Sequence, residues 1–151
     1  MKKRDEIKLT PEEQAAFLRD TRKVALATLD KEGFPHVVAM NFIAQDGAVL
    51  MTSYGKAQKV LNIRRNPKVA VMAESGRKYS DLRGVMIRGE CKIIEDPAAV
   101  VATLNAIRQR DTGNSTPNQT PPTTTVTKRV VLKVIPKKTV SWDHTKLGGR
   151  Y

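Results

Sequence analysis

The residues whose types and spacing could do chemistry lie together in TSYGKAQKVLNIRRNPKV, positions 52–69. Thr52 and Ser53 end a β-rich run with two hydroxyls, Gly55 breaks it, and Ala57, Val60, Leu61 and Arg64 follow at the i, i+3, i+4, i+7 spacing of a short helix. The free N–H groups at the start of that helix would point toward the hydroxyls. Lys56 and Lys59, one turn apart, would reach the same volume. Hydroxyls, a helix N-terminus and ammonium groups together make a phosphate cradle. The same residues also suit a solvated basic face or a nucleic-acid contact, and spacing alone leaves all three open. Arg64 and Arg65 fall at the far end of the helix, where cations complement the C-terminal dipole.

Other chemistry is sparse. His36 and His144 have no partner at metal-ligand spacing. Cys91 alternates with charged neighbours in a strand pattern and reads as a core residue. No nucleophile-elbow, phosphate-loop or dinucleotide glycine motif occurs, so hydrolytic catalysis is not supported and the chemistry would belong to a bound cofactor. Trp142 could stack on a cofactor, line a substrate pocket or seal the fold. Tyr79, Asp81 and Arg83 could pair on the surface or reach a pocket across a dimer interface.

The elements that must position these residues are mostly strands. Thr10, Pro11 and Glu13 predict a capped helix start. KVALATL (23–29), HVVAMNFIA (36–44) and AVLMTS (48–53) read as a meander with turns at DKEG and QDG. The second is nearly continuous in apolar residues, which predicts burial on both faces. After the candidate helix, KVAVMAE (68–74) and VMIRGECKII (85–94) are strands, and Gly89 predicts a bulge or a close backbone approach. Asp96-Pro97 opens a second long helix running to about Arg110. Residues 112–125 predict an exposed, flexible polar loop. RVVLKVIP (129–136) and KKTVSW (137–142) close the pattern. Six or seven antiparallel strands at short spacing, with flanking helices, predict a single barrel domain over 1–151.

The chain of 151 residues carries 27 Lys and Arg against 15 Asp and Glu, a net charge of +12 that suits an anionic partner. Aromatic residues are only 5%, and positions 55–69 hold none, which argues against base stacking and hence against nucleic acid. One cysteine excludes an internal disulfide and fits a cytoplasmic location. No apolar run is long enough for a membrane span.

The order of these segments resembles the pyridoxamine 5′-phosphate oxidase-like family of FMN-binding split barrels. KVALATLDKEGFPHVVAMNF matches its opening hairpin, TSYGKAQKVLNIRRNPKV its phosphate segment and Asn-Pro stop, and RGVMIRGECKIIEDP a later strand. NIRRNP, LRGVMIRGE and VSWDHTKLGG are most similar to the branch that uses the deazaflavin coenzyme F-420. The resemblance implies a split β-barrel acting as a homodimer, with F-420 or FMN at the interface. It implies that Lys59 binds the cofactor phosphate, with Lys56, Thr52 and Ser53 around it. Gln58 stands where the oxidases have a second basic residue, and Ala57 where they have serine. The backbone of Val38, Ala39, Met40 and Asn41 would line the ring, and Trp142 is a further candidate contact. The run VVAMNFI (37–43) lacks the Arg and Lys the oxidases carry there, so the resemblance implies cofactor class rather than pyridoxamine phosphate oxidation. The expected function is hydride transfer to or from a small organic substrate; the alternative is a carrier or sensor that binds flavin without turnover.

Overall fold

In the computed structural model, which describes residues 2–113 and 121–150, the QDG turn forms as its sequence requires. Asp46 and Gly47 both take positive φ, 51° and 78°, the geometry of a two-residue hairpin turn. The helices are α1 (Lys3–Glu6), α2 (Pro11–Asp20), α3 (Gln58–Arg65), α4 (Pro97–Thr112) and α5 (Thr123–Thr127). The strands are β1 (Lys23–Leu29), β2 (Pro35–Asn41), β3 (Ile43–Gln45), β4 (Ala48–Tyr54), β5 (Lys68–Ser75), β6 (Arg83–Ile94) and β7 (Arg129–Asp143). They form one antiparallel sheet in the order β2-β1-β5-β6-β7-β4-β3.

That order explains the curvature. β2 and β3 are the two edges of the sheet, yet only Phe42 separates them in sequence. The edges must therefore meet, and the sheet curls into a split barrel with Phe42, fully buried, at the seam. Beside the seam β2 packs against β4 without pairing to it. The barrel interior holds the main core, including Leu26, Met51, Val71, Val85 and Leu132. A second cluster, Val100, Val126 and Val131, forms where α4 and α5 cover the outside of β4 and β7.

The capping signals act as read. Thr10 Oγ1 accepts from Glu13 N at 3.2 Å and Glu13 Oε2 accepts from Thr10 N at 2.8 Å, closing the capping box of α2. Asp96 caps α4, and Gly113 ends it in the left-handed conformation. Arg110, in the last turn of α4, reaches the carbonyls of Phe42, Leu18 and Arg19 and lies over the Phe42 ring. It ties two helices to the seam, and its burial lowers its pKa.

Several expectations change. The two last strands are one, Arg129–Asp143, and the expected second strand is cut at Phe42 into β2 and β3. Pro136 does not end β7: it faces Gly89 where the register shifts, and proline is tolerated at such irregularities. Gly89 is required: a Cβ would overlap the Ile135 carbonyl oxygen. β2 is not buried on both faces. It is an edge strand whose outward side chains are uncovered among the described residues, leaving Val37 60% exposed. The expected loop at 112–125 is shorter, since Thr112 ends α4 and Thr123–Thr125 begin α5, whose Val126 is buried. The centre of that expected loop, 114–120, lies outside the described residues.

Candidate functional site

β4 delivers Thr52 and Ser53 to the open end of the seam, and the chain turns through Gly55 into α3. The helix starts one residue later than the spacing suggests. Ala57 is the N-cap, with extended φ and ψ of −65° and 149° and no side-chain cap. The first N–H groups of α3 have no intrahelical acceptor.

Asn62 fixes this helix. It has 0% exposure, so α3 buries Val60, Asn62 and Ile63, while Leu61, expected on the packed face, is 46% exposed. Asn62 Nδ2 donates to Thr28 Oγ1 on β1 at 3.0 Å. Its Oδ1 accepts from Gln58 Nε2 at 2.7 Å and from Arg65 Nη2 at 3.1 Å. A buried polar side chain with donor and acceptor both satisfied locks the roll of a helix that an apolar contact would leave free to slide. Arg65 also reaches the Leu29 carbonyl, and Arg64 pairs with Glu95 at 2.8 Å, so both arginines hold structure as expected.

The result is a cleft of about 360 Å³ walled by Ala39, Met40 and Asn41 of β2, Thr52, Ser53 and Tyr54 of β4, Leu104 and Ile107 of α4, Lys59 and Arg129. Lys59 Nζ donates to Ser53 Oγ at 3.4 Å. Burial, and then the charge of Arg129, lower the Lys59 pKa. Arg129 begins β7 opposite Tyr54 and lies over its ring, 4.4 Å from the centroid. Sequence reading passed over Arg129. No local signal marks it, because Arg129 reaches the cleft through the pairing of β7 with β4.

The cleft thus brings together Lys59, Thr52, Ser53, Ala39, Met40 and Asn41 of the expected residues. It does not bring in the others. Lys56 precedes the N-cap, so it is off the helix and does not stack one turn below Lys59. It is exposed and lines a neighbouring cleft of about 720 Å³ with Arg64, Glu95 and Lys128, which shares Tyr54 and Arg129 with the first. Gln58 is engaged by Asn62, Ala57 packs against the core, and Val38 turns into the barrel. Trp142 lies at the other end of β7, roughly 40 Å of strand from Arg129. Its indole crosses Gly84 on the outer face of the sheet and donates to Glu74 Oε2 at 3.0 Å.

Elsewhere, Asp81 accepts from the N–H groups of Arg77 and Lys78, and Arg83 pairs with Asp143 at 3.1 Å. Cys91 is buried as expected, and burial pushes its thiol up to about 12. Among the described residues no group of His, Cys, Asp or Glu could hold a metal, and no helix is long and apolar enough to cross a membrane.

Among the described residues no carboxylate, histidine or thiol lines the cleft, whose wall joins two cationic side chains to apolar ones. The model of the pyridoxamine 5′-phosphate oxidase family matches residues 10–143. The chain belongs to that family. Among solved structures it is similar to a conserved hypothetical protein, Rv2991, from Mycobacterium tuberculosis, at 35% identity and a TM-score of 0.91, over 100% of this chain and 95% of that one. It is also similar to an F-420 reductase at 28% identity and a TM-score of 0.70, over 86% and 98% of the two chains. The flavocytochrome Anf3 from Azotobacter vinelandii shares the fold at 13% identity and a TM-score of 0.77, over 95% and 72%. No curated protein matches the chain in sequence.

Proposed function

We propose that this protein is an oxidoreductase that binds F-420 or FMN in the seam cleft and transfers hydride to or from a small organic substrate. The observation that carries the reading is the meeting of Lys59 with Ser53 and Thr52 at the start of α3, in a cleft also lined by Ala39, Met40 and Asn41. Lys59 would hold the phosphate, with the Ser53 hydroxyl fixing its ammonium group. Met40, Leu104 and Ile107 supply an apolar wall that excludes water from one side of a flat ring. A bound flavin or deazaflavin supplies the hydride-accepting and hydride-donating atom, which the chain's own side chains do not. The similarity to an F-420 reductase favours the deazaflavin.

The reading includes a homodimer. The register places Ala39, Ala25, Met72, Met86 and Val140 in one outward row across β2, β1, β5, β6 and β7. This row is apolar, and Met72 is 39% exposed. Ala39 belongs both to the row and to the cleft, so a second copy on this face would abut the cofactor. Sedimentation velocity tests it: the wild type sediments as a dimer and Met72→Lys as a monomer, and a monomeric wild type removes the dimer.

The cofactor reading is tested by titrating the purified chain with FMN and with F-420, following ligand fluorescence. Saturable binding of one or both is expected. A flat response to both ligands rejects the reading.

A further inference from the structure

Arg129 carries more of the site than its position at a strand start suggests. Its guanidinium lies on Tyr54 and lines both clefts. Its Nε is shielded from solvent and hydrogen-bonds to nothing among the described residues. Glu95, which lines the larger cleft with Arg129, is engaged by Arg64. Lys59, which lines the same cleft, bonds only a neutral hydroxyl among the described residues. Two cations thus line one half-buried volume without a bonded counter-ion among the described residues, and like charges held together out of bulk water oppose folding unless an anion neutralises them. Burial first, and then the charge of Arg129, lower the pKa of Lys59.

We infer that Arg129 is the second phosphate ligand of this cleft, closing on the group from β7 while Lys59 closes from α3. The inference rests on the cofactor reading above. It gives the site a planar guanidinium, with a fork suited to two phosphate oxygens, in place of the basic residues absent from Val37–Ile43. Stacking on Tyr54 holds the fork in plane before the ligand arrives, which reduces the ordering cost of binding. The shared chemistry is a phosphate group, which can come from the phosphomonoester of FMN or the phosphodiester of F-420.

The test compares each phosphorylated cofactor with its phosphate-free counterpart, riboflavin for FMN and the bare deazaflavin nucleoside for F-420. Affinities are measured by fluorescence on wild type, Arg129→Gln, Arg129→Lys and Lys128→Gln, with circular dichroism melts on each. Losing a charge-assisted bond to phosphate should weaken binding by about tenfold or more. Arg129→Gln should impose that loss on the phosphorylated ligand and leave its phosphate-free counterpart unchanged. Arg129→Lys, which keeps the charge and loses the fork, should fall between, and serves if the glutamine variant does not fold. Lys128→Gln removes the same charge one residue away and should change affinity less than about threefold, as a screened surface charge does. The ligand pair with the larger wild-type ratio identifies the phosphate source. An unchanged ratio in both Arg129 variants overturns the inference while leaving the cofactor reading intact. Failure of the wild type to bind any of the four ligands overturns both.

Discussion

Replacing Asn62 by leucine removes a polar side chain with 0% exposure from the middle of α3 and keeps its bulk. Gln58 and Arg65 are exposed and can turn to water. Thr28, 2% exposed, cannot, and its hydroxyl loses the donor it holds at 3.0 Å. An orphaned buried polar group costs about 1–3 kcal/mol. Thr28→Val leaves the Asn62 amide orphaned instead, at a similar cost. Replacing both partners by apolar groups of similar shape can be nearly neutral. The double variant should therefore lose well under the sum of the singles, with a coupling energy of about 1–3 kcal/mol. For a chain of 151 residues each single variant should melt lower by about 2–4 °C per kcal/mol. Urea unfolding followed by Trp142 fluorescence, with an unchanged m-value, measures all four corners of the cycle. Additive losses, or an Asn62→Leu variant as stable as wild type, would refute the view that this bond sets the seating of α3.

Gly89→Ala should destabilise by about 1–3 kcal/mol or more, because its Cβ meets the backbone of β7, which has no rotamer to give; equilibrium unfolding checks it. Gly84→Ala should displace the Trp142 indole, read as a shift in emission wavelength, since the new Cβ would also lie 2.9 Å from the Ala73 carbonyl oxygen. Lys59→Met should raise the melting temperature of the cofactor-free protein. Burial lowers the Lys59 pKa, so the charged form costs stability fully below that lowered value. The cost fades as pH rises toward the ordinary lysine value of 10.5, and the gain from Lys59→Met should shrink over the same range. Cys91, with its thiol near 12 and buried, should react with a thiol reagent only on unfolding at pH 8, measured by the rate of labelling with and without denaturant.

Much of this fold is written in local signals. The capping box at Thr10, the Asp96-Pro97 helix start and the QDG turn each depend on neighbours in sequence, and each forms as read. The errors arise where distant partners decide. Phe42 cuts a continuous apolar run because the barrel must close there, and Pro136 is tolerated because Gly89 faces it across the sheet. The apolar run of β2 was legible, but its place at an edge of the sheet, with Val37 exposed, was not. At the site, Lys59 and Ser53 could be paired from the turn between them. The burial of Asn62 is set by Thr28, far away in sequence, which supplies its partner. Arg129 joins the cleft only through the β4–β7 register. Lys56 was misplaced because one extended residue, Ala57, shifts the helix start.

The most direct test of the account is the affinity of Lys59→Ala for the cofactor that the wild type binds, measured beside its phosphate-free counterpart. The account predicts a loss of about tenfold or more for the phosphorylated ligand and none for the counterpart. A variant that keeps full affinity for the phosphorylated cofactor would contradict the assignment of this cleft as its phosphate site.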